Sequence, residues 1–214
     1  KIGRKRRSPV KKKKIEAEGA GAIGPVIDRA VGLDTPEARD LARLWLEIYA
    51  ADAAALPLAP FQAAAEAVEY DPAALLAQAP GDAARVLRRL ANLPPRPGHA
   101  PFGLARIDGT GALLYRKRCP GFTLPRHGHG CPRWPIYRAA SRPGQPDSVL
   151  LAVAGGRRRR GWSVAHVVES LGLAHAPLLI STMLVRAAPT EEGAVLEVGP
   201  DCPTCRKRPD LVRH

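Results

Sequence analysis

The residues best suited to chemistry are four cysteines, all in the second half of the chain. Cys202 and Cys205 enclose Pro203 and Thr204 in a C-x-x-C, a spacing that turns two sulfurs toward one ion while backbone N–H groups point at them. One such pair supplies only two ligands. Cys131, in Gly130-Cys131-Pro132-Arg133-Trp134, is the best third, because Gly130 and Pro132 shape a tight loop around it. Cys119, in Arg118-Cys119-Pro120-Gly121, is the candidate fourth, and the loop between the two also carries His127 and His129. Two inorganic outcomes fit: a four-thiolate zinc site, or an iron–sulfur cluster such as 4Fe-4S on three or four cysteines. Spacing does not separate them. A competing reading makes Cys119 and Cys131 small buried hydrophobes and the C-x-x-C an exposed redox pair. His99, His166, His175 and His214 read as ordinary surface or core histidines.

Charge supplies a second candidate set. The formal charge is +13, and Lys1, Arg4, Lys5, Arg6, Arg7, Lys11, Lys12, Lys13 and Lys14 carry nine positive charges with no acid among them, leaving +4 for the rest. Arg4 to Arg7 and Lys11 to Lys14 could bind phosphates without sequence preference, or serve only as a solubilising tail. With the Gly/Ala-rich stretch Gly19 to Gly24 behind it and no apolar periodicity, residues 1–33 are expected to be a disordered arm and linker. No stretch approaches the roughly 18 apolar residues of a membrane span, and the basic start lacks the apolar core of a secretory signal. The expected compartment is the cytoplasm, where nearby cysteines favour metal or redox chemistry over disulfides. No nucleophile–base constellation, phosphate-binding glycine loop or paired-carboxylate pattern stands out, so an enzyme is not expected.

The elements that must position these residues fall into two halves. Thr35-Pro36-Glu37 is a capping hydroxyl, a proline for the first helical position and an acid for the first turn, and it predicts a helix with Leu41, Leu44, Trp45, Ile48 and Tyr49 on an apolar face. A second helix follows from Phe61 to about Val68. Asp71-Pro72 starts a short third, and Pro80-Gly81-Asp82 leads into a fourth with Val86, Leu87 and Leu90 inside and Arg85, Arg88 and Arg89 outside. The third-to-fourth corner has a helix-turn-helix look, although three arginines on one helix more often make a solvated face. Leu93-Pro94-Pro95-Arg96-Pro97-Gly98 cannot continue a helix and marks a boundary between helices over 34–93 and a domain over 99–214.

Beyond it, Phe102 to Ile107 and Ala112 to Arg118 flank the turn Asp108-Gly109-Thr110-Gly111, and Val149 to Ala154 and Arg157 to Val167 flank Gly155-Gly156. Each pair predicts a hairpin. Leu178 to Val185 and Ala194 to Val198 add strands. The fold class expected is α+β: an N-terminal helical bundle, then a mainly antiparallel sheet with a cysteine metal site.

These residues carry a resemblance. Pro101 to Asp108, Gly111, Gly121-Phe122, and Gly130-Cys131-Pro132-Arg133-Trp134 through Arg142-Pro143-Gly144 resemble the C-terminal domain of the short-chain fatty acyl-CoA regulators, bacterial transcription factors of propionate, acetate and glyoxylate metabolism. Leu171-Gly172, Ala174 to Ala176, and the ending Val198 to Cys205 with Arg208-Pro209-Asp210 are similar to further segments of that domain. Leu56 to Phe61, Ala65 to Ala67, Tyr70-Asp71 and Arg85 to Leu93 resemble the tail of a metallopeptidase-like middle region. The resemblance implies a transcriptional regulator with an iron–sulfur cluster and short-chain acyl-CoA sensing, whose partners are DNA, the acyl-CoA and further copies of itself in a homo-oligomer. For the acyl-CoA phosphates the candidates are Arg157, Arg158, Arg159 and Arg160, of which at most half can serve one site, since adjacent strand residues face opposite ways. Three departures stand out. The chain has no typical N-terminal helix-turn-helix, no His-Glu-x-x-His helix, and Leu211 where the family commonly places a further cysteine. The alternative expectation is a zinc-stabilised module that contacts nucleic acid through the basic arm.

Overall fold

The structure is a computed structural model that describes residues 10–96, 99, 101–122, 131–152, 158–168, 178–189 and 195–197. The chain divides into two compact units, one running through Glu69 and the other starting at Tyr70.

The first unit is helical. Where a disordered arm was expected, Val10–Glu18 forms a helix (α1), Gly19–Ala22 a 3-10 turn and Ile23–Asp28 a second helix (α2). The reason is that Ile15, Ala22, Ile23 and Ile27, few and irregularly spaced, all find burial against Tyr49 and Ala50 of the long helix Pro36–Ala55 (α3). The Tyr49 hydroxyl donates to the Glu16 carboxylate. Thr35 caps α3 as its sequence predicts, accepting from the Ala38 N–H at 3.2 Å. The face that packs is not the whole predicted stripe: Leu41 and Leu44 are exposed, while Leu46, Tyr49 and Ala50 meet the α1–α2 segment. Leu58–Ala67 (α4) closes the unit, burying Phe61 and Ala65.

The second unit is a sheet with helices packed on it. Pro72–Leu75 (α5) and a 3-10 turn over Leu76–Gln78 lead to Ala83–Asn92 (α6), which packs against β1, Phe102–Asp108; β4, Arg158–Val168; and β5, Leu178–Pro189. The remaining strands are β2, Leu113–Lys117; β3, Asp147–Ala152; and β6, Val195–Glu197. The order across the sheet is β2-β1-β5-β4-β3-β6, antiparallel except for the β3–β6 pair. Both predicted strand pairs form antiparallel, the turn of the second, residues 153–157, lying outside the described residues. Asp108 holds the first turn through its carboxylate, which accepts from the Thr110 N–H at 2.9 Å, the Thr110 hydroxyl at 2.6 Å and the Ala112 N–H at 3.0 Å.

The expected boundary near residue 93 is displaced, because α6 belongs to the sheet's core. Val86, Leu90 and Ala91 are buried, and so are Arg88 at 8% and Arg89 at 1% exposure. An α6 enclosed nearly all round cannot offer Arg88 and Arg89 to a DNA groove, which removes the helix-turn-helix reading of this corner.

Candidate functional site

Two of the four cysteines lie among the described residues, and the fold brings them into one core. Cys119 follows β2 and opens a tight turn in which the Phe122 N–H donates to the Cys119 carbonyl at 3.2 Å. Cys131 opens another, the Trp134 N–H donating to its carbonyl at 2.9 Å, and Pro135 then starts the short helix Pro135–Ala139 (α7). Because α7 packs on β3, β4 and β5, it carries Cys131 onto the sheet. Cys119, Phe122, Cys131, Trp134, Ile136 and Met183 belong to a single buried cluster, with the Phe122 and Trp134 rings 5.5 Å apart. The segment 123–130, with His127 and His129, lies outside the described residues, as do Cys202 and Cys205.

The Cys119 side chain is tightly held. A Cβ on Gly103 would stand 2.4 Å from the Cys119 Cβ, so this position of β1 admits only glycine. The thiol donates to the Val185 carbonyl at 3.4 Å. Burial pushes the thiol up from its ordinary value, opposed by a hydrogen bond from the Gly103 backbone and by the charges of Arg159 and Lys117.

Of the four arginines proposed for phosphates, Arg157 lies outside the described residues, and β4 separates the other three. Arg158 is exposed, Arg160 half-buried, and Arg159 buried between them, beside a register shift in the β4–β5 pairing. They do not form one patch. Arg159 turns toward the cysteine core: its Nη2 stands 2.8 Å from where a Cβ on Gly121 would be, and Gly121 has φ +72. Its Nη1 donates to the Arg158 carbonyl at 2.9 Å, while its Nε is buried with no hydrogen-bond partner among the described residues. The Trp134 Nε1 is likewise buried and has no partner among the described residues. Sequence reasoning singled out Arg159 only as part of a run, and neither Trp134 nor Gly103 as functional; Cys-Pro-Arg-Trp was the available signal for Trp134.

Of the basic arm, Lys11 to Lys14 are placed on α1 and Arg4 to Arg7 lie outside the described residues. Lys12 and Lys13 are exposed; Lys12 Nζ lies 5.1 Å from the Tyr49 ring centroid, and Lys14 pairs with Glu18 at 3.6 Å. Among the described residues no group of three His, Cys, Asp or Glu side chains is arranged to hold a metal, and no helix is long and apolar enough to cross a membrane.

Away from the cysteines, a cleft of ≈ 370 Å³ opens beside the α5–α6 corner and β4, lined in part by Leu76, Asp82, Ala84, Pro146 and His166. The Asp82 carboxylate accepts from the Arg85 N–H at 2.9 Å and pairs with Arg85 and Arg88 at 3.2 and 3.8 Å. Burial holds the His166 imidazole below its ordinary value, assisted by Arg88 and Arg106 and opposed by Asp82.

Residues 95–210, which include all four cysteines and every described strand, match the family model of the short-chain fatty acyl coenzyme A regulator, C-terminal. The chain belongs to this family. A propionyl-CoA carboxylase regulator of Cereibacter sphaeroides is 36% identical to this chain over 113 residues, covering 52% of the chain and 24% of that protein. The HTH-type transcriptional regulator RamB of Mycobacterium tuberculosis is 32% identical over 136 residues, covering 62% and 28%. The chain thus spans about a quarter of the length of these curated relatives, which are named as regulators and not as enzymes. A solved Mycobacterium tuberculosis transcriptional regulator shares the fold with a TM-score of 0.61 at 24% identity, over 83% of this chain and 54% of that one. The family match starts at residue 95, so it lends nothing to a metallopeptidase-like origin for the helices before it.

Proposed function

We propose that this acyl-CoA regulator domain is the effector-sensing portion of a cytoplasmic transcriptional regulator, and that Cys131, Cys202, Cys205 and Cys119 hold an iron–sulfur cluster in it. The observation that carries the reading is the membership of Cys119 and Cys131 in one buried core within the family-matched segment. The donor set fits: thiolates are the ligands such clusters take, and the Trp134 and Arg159 N–H groups, buried without a partner among the described residues, suit a centre rich in negatively charged sulfur. Bound there, the cluster would supply a one-electron or oxygen-responsive signal. The protein's own part is mechanical: Cys119, whose S–H donates to the Val185 carbonyl, would tie the turn after β2 and β5 to the ligand set, and Cys131 would tie it to α7.

Short-chain acyl-CoA is the effector that the family's name points to, and DNA the output, reached by a homo-oligomer. Arg157, which lies outside the described residues, Arg158 and Arg160 are the arginines left to meet an acyl-CoA phosphate, since Arg159 is buried. Iron per chain in the four Cys→Ala variants tests the ligand set: each is expected to lose iron. Full iron in Cys119→Ala would reduce Cys119 to a packing thiol and leave three cysteines. Exposure of Lys12 and Lys13 favours a second reading, a zinc-stabilised module gripping nucleic acid through the basic segment; one zinc per chain and no sulfide would select it.

A further inference from the structure

The cleft of ≈ 370 Å³ between the α5–α6 corner and β4 is large enough for a small molecule, and its walls are built from the second unit. Those walls are pinned. Asp82 caps α6, its carboxylate accepting from the Arg85 N–H at 2.9 Å and pairing with Arg85 and Arg88. On the strand side, the Gly144 N–H donates to the Ala165 carbonyl at 2.7 Å and fixes the rim to β4. A Cβ on Gly81 or Gly144 would meet nothing within 4 Å, so the rim stands open. A cavity held open by hydrogen bonds rather than collapsed costs stability unless something fills it.

The charges on the walls select what that is. Asp82 brings a carboxylate to the helical side, where it repels an anion. On the strand side His166 lies in the fields of Arg88 and Arg106, which repel a cation, and burial holds its imidazole below its ordinary value and hence neutral. Leu76, Ala83, Val164 and Val167 supply an apolar lining. The complement is an uncharged, mainly apolar molecule whose polar group donates to Asp82 and accepts from His166. A hydroxyl would have to do both through one oxygen. A secondary amide does so from opposite edges, which matches two groups on separate walls.

We propose that this cleft binds a small uncharged secondary amide, the Asp82 carboxylate accepting from its N–H and the His166 imidazole donating to its carbonyl. The site shares no residue with the buried cysteine cluster and goes beyond the cluster reading. Such an amide reaches the protein either as a free small molecule or as the pantetheine arm of an acyl-CoA.

The test is saturation-transfer NMR on the full chain with four probes: N-propylpropanamide, pantetheine, propionate and propylammonium. Transfer is expected to both amides and to neither ion. Transfer to pantetheine alone assigns the site to the arm of an acyl-CoA, and transfer to N-propylpropanamide alone to a free amide; either upholds the proposal, and only the former bears on the acyl-CoA reading. Ala83→Leu, which fills the cleft from a half-buried position, should abolish the transfer. His166→Val removes one hydrogen bond and should weaken amide binding roughly two- to tenfold. No transfer to either amide overturns the proposal. Propionate binding as well as the amides overturns it too, since Asp82 then selects nothing. Wild-type affinity in A83L and H166V places the amide elsewhere and has the same effect. If A83L does not fold, H166V decides: undiminished affinity counts against the proposal.

Discussion

At the scale of single residues, the cysteine core is defined by how closely it is packed. Gly103→Ala places a methyl 2.4 Å from the Cys119 Cβ, an overlap that only backbone movement can relieve. Overpacking of this kind costs about 1–3 kcal/mol, so urea denaturation of G103A should show a lowered midpoint. Cys119→Ala in the same background keeps the offending Cβ and should recover none of it; full recovery would mean that the sulfur, not the Cβ, makes the clash. The cysteines themselves stood out in the sequence because their type and spacing suit metal chemistry. Their environment did not: that β1 must have a glycine opposite Cys119, and that Arg159 is buried while Arg158 is exposed and Arg160 half-buried, follow from β1–β5 pairing and from a bulge, neither of which leaves a local trace in composition.

At the scale of elements, α6 is where expectation and structure part most. Its apolar positions Val86, Leu87 and Leu90 were evident from periodicity, but the burial of Arg88 and Arg89 was not, because a charged side chain reads as solvated until a partner sheet is known. Leu90→Ala should cost roughly 2–5 kcal/mol by cavity formation, read from the denaturation midpoint. Leu41→Ala on α3, at a position 57% exposed, should change stability by less than about 0.5 kcal/mol despite belonging to the more obvious apolar stripe. The packing of α6 on the sheet also predicts a pH dependence. His166 on β4 has its imidazole held below its ordinary value by burial and then by Arg88 and Arg106, so the folded state favours the neutral ring. The unfolded chain binds the extra proton first as pH falls, so the stability that this group contributes is present above about pH 6.5 and is lost as the pH drops toward the lowered folded value. His166→Gln should flatten the fall in unfolding midpoint between neutral and mildly acid pH; an unchanged slope would place the dependence elsewhere. Hairpins, caps and turn residues were all readable locally, whereas the sheet order, which joins β1 to β5 across most of the domain, was not.

At the scale of the molecule, the cysteines fall in the second unit, which holds the family-matched segment, and the basic segment in the first. The segment is not a detachable tail: Ile15 is 1% exposed, and Lys12 and Glu16 both engage Tyr49, so deleting residues 1–14 would damage the unit as well as its charge. Charge is better removed by Arg4, Lys5, Arg6, Arg7 and Lys13 to Gln. If these groups meet phosphates, affinity for duplex DNA should fall and the salt dependence should flatten by about 0.9 for each phosphate that is no longer neutralised. Equal slopes for variant and wild type would make the segment a solubilising face.

Whether the cysteine core holds a cluster is decided by iron and acid-labile sulfide per chain, measured on anaerobically purified protein together with its visible spectrum. A cluster on these cysteines predicts brown protein with broad visible absorbance and with iron and sulfide in matching amounts. Colourless protein with one zinc per chain, or with no metal at all, would contradict it.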